Sequence, residues 1–286
     1  MREKLVMGDT QKVASKEAWL DTGILIGKYF FNTEYLHYGY WEDGMEVKVD
    51  NISAAQEKYA DLIASHIPEG TKSILDVGCG VGKLAEKLIG VGYQVDCVSP
   101  SPHLSNHARS LLGERSQIFE CYFEDIDTTK TYDLILFSES FQYIRMDRSF
   151  ENAIRLLNPR GHILICDYFT KQTEGKSPIG GGHGLNEFYQ TIKNYPIEIG
   201  EDIDITKETA PTLDIWDEFL NQIVAPIWGI WGDYFKSNYP RISRVFAWKF
   251  KKKLDKKREK YLGKKYNGQS FALFKSYRLL TLSVKD

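Results

Sequence analysis

"ILDVGCGVGKL", residues 74–84, is the stretch that decides the fold. "SILDV" is a short β-rich run, Gly78, Gly80 and Gly82 mark a tight turn, and "KLAEKLIGVG" reads as a helix closing on glycine. Strand, glycine turn and helix together open a doubly wound α/β sheet, whose ligands bind at the carboxyl edge. Glycines there permit positive φ and let a ligand approach the backbone closely.

Outward from this unit, the same grammar repeats. "QVDCV" reads as strand, and "SPHLSNHARSLL" as a helix with Ser101 as N-cap and Pro102 in the first turn. "QIFECYF" and "YDLILFS" read as strands, "RSFENAIRLL" as helix and "GHILICDYF" as strand. Alternation of this kind implies a Rossmann-like, mostly parallel sheet with helices on both faces. "LILF" and "ILIC" are continuous apolar runs, as strands buried on both faces should be. Helical spacing also marks residues 15–31 and 52–67, joined by the aromatic loop "YLHYGYWEDG". After residue 170 come a glycine-rich loop, "GKSPIGGGHG", expected to be mobile, then a helix, "LNEFYQTIKNY", and a strand-like "PIEIGEDIDIT". Residues 212–262 are helix-rich, with Trp216, Phe219, Ile223, Ile227, Trp231 and Phe235 roughly one turn apart, the pattern of an ordinary helical cap core. "YRLLTLSV" closes the chain as a strand. The expected layout is one domain over 1–286: an N-terminal helical cap (1–70), a cofactor-binding core (71–170), and substrate-covering helices with closing strands (171–286).

Three ligand classes compete for the glycine turn. A phosphate-binding P-loop needs GxxxxGK followed by Ser or Thr, but Lys83 is followed by Leu84 and the spacing fails. A nicotinamide fingerprint needs GxGxxG, and Gly82 comes one residue early. Asp76 is the further clue. An acid there would repel a pyrophosphate but suits an ammonium group, which S-adenosylmethionine carries beside its sulfonium.

Residues 73–168 resemble the class I S-adenosylmethionine-dependent methyltransferases, and "LDVGCGVG" matches that family's first motif. The resemblance implies roles. Asp76 meets the methionine part of the cofactor, and Gly78, Cys79 and Gly80 line it with backbone. In "CYFEDI", Phe123 packs on the adenine and Glu124 meets its amine. Ser138 and the residues to Gln142 lie beside the methionine tail and the acceptor. The family commonly carries an acid at the second strand's tip for the ribose. Here Asp96 lies three residues before the tip, roughly 10 Å away, and Ser99, followed by Pro100, stands at the edge. A hydroxyl at this point resembles the cyclopropane fatty-acid and mycolic-acid synthase branch. So do "HYGYW" (37–41), which also resembles small-molecule and tocopherol-type methyltransferases and brings Tyr40 toward the cofactor, and the pair Phe123-Glu124. The cyclopropanating members of that branch hold bicarbonate with a cysteine and a Glu-His pair. This chain has Tyr38, Gln142 and Tyr143 at those positions, which favours simple methyl transfer over ring formation.

Methyl transfer from sulfonium is an in-line displacement, so the enzyme aligns the acceptor and excludes water. An oxygen or nitrogen acceptor also needs a base. Candidates are His37, Tyr38, Tyr143 and, in the glycine-rich loop, His183. The expected acceptor is a small molecule or lipid-like compound. A non-catalytic cofactor-binding protein and a cyclopropane-type enzyme are the alternatives, and a nicotinamide dehydrogenase fits poorly.

Composition bounds the rest. The chain has 286 residues and a formal net charge of −2, with no global pull toward nucleic acid. Cys79, Cys97, Cys121 and Cys166 form no CxxC pair, so they read as free thiols in a reducing compartment, with no metal site. No secretory core or membrane-length apolar run is present, and the expected location is the cytoplasm. The run 248–265 is basic. It reads as a solvated helix face, or as a weak contact with a membrane surface or an anionic substrate.

Overall fold

Seven strands form one sheet in the order β3-β2-β1-β4-β5-β7-β6. They are β1 (Ser73–Val77), β2 (Gln94–Val98), β3 (Ile118–Phe119), β4 (Tyr132–Ser138), β5 (Leu157–Thr170), β6 (Ile197–Asp204) and β7 (Lys275–Val284). The pairings from β3 through β5 are parallel, and β7 runs antiparallel between β5 and β6. This computed structural model describes residues 15–285 apart from 242, 245–247, 251, 253, 254 and 256–265.

The continuous apolar runs divide by parity. Ile74, Leu134, Leu136, Leu164 and Leu279 point into one core, and Leu75, Ile135, Phe137, Ile165 and Leu280 into the other. Successive side chains of a strand face opposite ways, so a strand covered on both sides must be apolar throughout. The first core is closed by α2 (Ile52–Ser65), α3 (Lys83–Gly90) and α4 (Pro102–Leu112), and the second by α5 (Met146–Leu156) and α6 (Leu185–Thr191). Ser101 caps α4 by accepting from the Leu104 N–H at 3.4 Å, with Pro102 at the first helical position, as its sequence predicts.

β3 is shorter than the seven-residue run suggested. Only Ile118 and Phe119 pair with β2, because β2 itself ends at Val98, and the chain then turns through Phe123–Asp125. The aromatic spacing after residue 212 also misleads. In α8 (Pro211–Phe219), Leu213 and Ile215 are buried, while Trp216 and Phe219 pack on Phe31 at the end of α1 (Ser15–Phe30). After a π turn at Leu220–Val224, α9 (Ala225–Asn238) buries no residue. It is not a cap core. The short α7 (Thr206–Thr209) precedes α8, and α10 (Gly268–Phe274) leads into β7.

Candidate functional site

At the carboxyl edge of β1, β2 and β4 lies a cavity of about 450 Å³. Its floor is the glycine turn. Gly78, Gly80 and Gly82 have φ of 80°, 57° and 87°, a region that L side chains adopt only with strain. The turn is also wedged in place. A Cβ on Gly78 would lie 2.4 Å from the Ser140 Cβ, and one on Gly82 would press the backbone of Ala108 in α4 at 3.3 Å. The Gly78 N–H donates to the Val98 carbonyl at 2.8 Å, which ties the turn to the tip of β2.

Asp76, on β1 just before this turn, lines the cavity and is 1% exposed. Its Oδ2 has no hydrogen-bond partner among the described residues. Burial without a compensating donor pushes the carboxyl up to about 7. An orphaned buried carboxylate oxygen costs about 1–3 kcal/mol or more. It marks a place where a cationic or donor group belongs. The methionine ammonium of S-adenosylmethionine, or a water held by it, supplies such a group, so the residues present fit this cofactor.

Ser99 is buried at the cavity edge, its Oγ accepting a 3.4 Å bond from the Ser101 N–H. Pro100, Cys79, Glu124 and Ser138 also line the wall. Asp96 does not. Its carboxylate accepts from the Gln117 N–H, the Lys130 ammonium and the Tyr132 hydroxyl, each at 2.9 Å, and so fastens β2 to its neighbours. Phe123 touches the cavity but is 2% exposed, packed edge-on to Phe137 at 5.4 Å in the sheet core. The ring free to cover a flat ligand is Tyr122, 64% exposed on the same wall, which the sequence reading passed over because Phe123 matched the motif.

The aromatic loop divides just as sharply. Gln56 of α2 donates to the carbonyls of Tyr35 and His37 and accepts from Thr33, pinning residues 33–37 over the cavity. His37 stacks on Tyr59 with ring centroids 4.3 Å apart. Its Nδ1 lies 2.8 Å from the Tyr38 carbonyl, which can only accept, so the proton sits on Nδ1. Nε2 is then a buried lone pair without a partner among the described residues, and burial pushes the imidazole down to about 4, which keeps it neutral. The rest of "HYGYW" is a staple. Gly39 allows an approach to Ala55 that any Cβ would block at 2.6 Å, and the Gly39 N–H and the Trp41 indole both donate to Thr212 Oγ1 at 3.0 Å. Tyr38 is packed among Tyr168, Phe271 and Tyr277, and Tyr40 packs against the core; neither lines the cavity. Both expectations are corrected.

His183 is corrected as well. Its Nε2 lies 2.8 Å from the Ile144 carbonyl and 3.1 Å from that of Phe141, so it holds backbone rather than facing the cavity. Its loop is tethered at several points. The Tyr168 hydroxyl donates to the Gly180 carbonyl at 3.1 Å, and the Gly182 N–H donates to Gln142 Oε1 at 3.2 Å. The buried Lys275 ammonium donates to Thr170 Oγ1 at 2.8 Å and to the Gly181 carbonyl at 2.5 Å. Gln142 in turn donates to the buried Asp167 at 3.1 Å. Tyr143 lines the cavity mouth.

One residue gained importance from the structure. Glu139, directly after β4, has φ of 53°, unusual for a non-glycine residue, and lines the cavity. Its Oε1 accepts from the Tyr38 N–H at 2.6 Å and from the Tyr277 hydroxyl at 2.7 Å, and the Tyr59 hydroxyl lies 2.8 Å beyond. Burial outweighs these donors and pushes the carboxyl up to about 8. Tyr277 comes from β7, more than a hundred residues away, so no local pattern could reveal this arrangement.

A family profile described as "Methyltransferase domain" matches residues 52–198, just over half of the chain. The chain belongs to the methyltransferase domain family. An uncharacterized methyltransferase of Alkaliphilus oremlandii is 27% identical over 150 residues, covering 51% of this methyltransferase-family chain and 65% of that relative, just under two thirds of its length. A methyltransferase of Streptomyces halstedii is 26% identical over 236 residues, 71% of this chain and 83% of that one. Among solved structures, a cyclopropane synthase of Mycobacterium tuberculosis superposes with a TM-score of 0.68 at 16% identity, covering 92% of this chain and 95% of that one; at this identity the likeness is one of fold. Among the described residues of this methyltransferase domain, no helix is long and apolar enough to cross a membrane. Most of the basic run 248–265 lies outside the described residues.

Proposed function

We propose that the protein transfers a methyl group from S-adenosylmethionine to a small-molecule or lipid-like acceptor. The observation that carries this reading is the unpartnered Asp76 oxygen, buried above the glycine turn in a cavity of cofactor-binding size. S-adenosylmethionine, when bound, supplies an electrophilic methyl on a sulfonium. The chain's residues do the rest. Asp76 holds the ammonium end, directly or through water, and gains the donor it lacks. Ser99 meets a ribose hydroxyl, Glu124 the adenine edge, and Tyr122 covers the ring. His37 and Glu139 define the acceptor side: one presents a neutral Nε2 lone pair, the other a carboxyl whose proton affinity lies near neutrality, where a general base works best.

Ring formation on fatty acids is the less favoured reading. Gln142 is committed to Asp167 and Gly182, and Tyr38 lies in the core, so neither is available to hold a small anion at the acceptor. Titration calorimetry with S-adenosylhomocysteine tests the main reading. Saturable binding by the wild type, weakened about tenfold or more in Asp76→Asn, is the expected result; absence of binding by folded protein rejects it. With a turnover assay, Glu139→Gln should lower kcat about 10²-fold for an oxygen or nitrogen acceptor while leaving cofactor affinity unchanged.

A further inference from the structure

We propose that the exposed face of α9, with the described basic residues Lys236, Arg241, Arg244, Lys249 and Lys252, is a docking surface for an anionic lipid bilayer. This goes beyond methyl transfer and uses no part of the cavity.

The first observation is the helix face. At about 100° per residue, Ile227, Trp228, Ile230, Trp231, Tyr234 and Phe235 fall within an arc of roughly 160°, and all six are exposed. Trp228 is 61%, Ile230 69% and Trp231 55% exposed. Gly229, Gly232, Asp233 and Lys236 occupy the opposite side. Exposed apolar side chains also lie on α1. Phe219, at the end of α8, lies 6.4 Å from Phe30 of α1, and Phe30, Tyr29 and Leu25 are exposed in turn. Soluble surfaces rarely present a contiguous patch of this kind without a partner.

The second observation is charge. Residues 236–265 hold 13 lysines and arginines against two acids, and the remainder of the chain carries a net −13. This division of charge along the sequence favours a negative surface as the partner of the segment that begins in α9. Trp and Tyr beside basic residues suit the headgroup boundary, where an apolar body meets a wet edge. A second copy of the chain fits less well, because pairing two α9 faces would bring the basic residues Lys236, Arg241 and Arg244 of both copies together. A nucleic acid would leave the isoleucines and tryptophans uncovered.

Placement adds a consequence. α1 runs directly into residues 34–37, which line the cavity, so only a few residues separate the exposed patch from the wall of the site.

The test is vesicle co-sedimentation of the full chain, without cofactor or acceptor, so that its outcome is independent of methyl transfer. Vesicles containing phosphatidylglycerol should bind at least about tenfold more tightly than pure phosphatidylcholine, the scale of a few basic contacts with an anionic leaflet. The preference should shrink as salt rises from 0.1 M to 1 M, where the screening length falls from about 10 Å to about 3 Å. Trp228→Ser/Trp231→Ser/Phe235→Ser should lose about tenfold on the anionic vesicles while keeping the wild-type circular dichroism spectrum. Lys249→Glu/Lys252→Glu should remove the lipid preference. No vesicle binding, or binding indifferent to these variants, overturns the proposal. So does a concentration-dependent dimer that the aromatic variant abolishes, since the helix would then cover a second copy.

Discussion

Asp76 puts two effects of one side chain in opposition. Without ligand, its buried, unpartnered oxygen opposes folding; on the proposed function the same oxygen would meet the cationic end of the ligand. Asp76→Asn should therefore leave the cofactor-free protein as stable as wild type, or more stable by about 1 kcal/mol, while weakening S-adenosylhomocysteine binding. Thermal melts with and without ligand check both signs. Ser99 and Asp96 separate in the same way. Ser99→Ala should weaken cofactor binding, whereas Asp96→Asn should leave it nearly unchanged and cost stability, because Asp96 joins Gln117, Lys130 and Tyr132. Phe123→Ala should destabilise by about 3 kcal/mol or more, as large core deletions do, and Tyr122→Ala should act on binding with little change in melting temperature. These residues show what sequence can reveal. The helix cap at Ser101 located the strand tip and so distinguished Ser99 from Asp96. Nothing in "CYFEDI" showed which of two adjacent rings the turn at Phe123–Asp125 points inward.

Local chemistry made most elements legible, because strand parity and helix spacing are short-range patterns. It failed where partners from distant parts of the chain decide the outcome. The glycine-rich loop reads as mobile, since glycine favours many conformations, yet Lys275 from β7 and Gln142 after β4 hold it. Lys275→Met should expose residues 175–184 to limited proteolysis, whereas the wild-type loop resists cleavage. The aromatic spacing of 212–239 is continuous along two helices, but among the described residues only the first buries part of its apolar face. Periodicity reports that a face is apolar and is silent about what covers it.

Across the whole molecule, the raised carboxyls make stability depend on pH. Asp76 and Glu139 bind protons more tightly folded than unfolded, moving from ordinary values of 3.8 and 4.5 up to about 7 and about 8. Asp167, raised to about 7 by burial, acts the same way, and His37, lowered to about 4, offsets one of these carboxyls below its ordinary 6.5; on balance the folded state holds more protons across this window, and its stability falls as pH rises through it. The melting temperature of the cofactor-free protein should decline between about pH 5 and 8, and Asp76→Asn/Glu139→Gln should flatten the curve.

The order of strands carries a consequence for biosynthesis. β7 lies between β5 and β6 but is the last of these seven strands to be made. Until residues 275–284 leave the ribosome, β5 and β6 have no common neighbour, and Glu139 has no tyrosine hydroxyl from Tyr277. The glycine turn, with β1, β2 and β4, can assemble while the chain is still growing. The Glu139 side cannot, so on the proposed function a chain released early would hold the glycine-turn wall but not the tyrosine hydroxyl that Glu139 accepts.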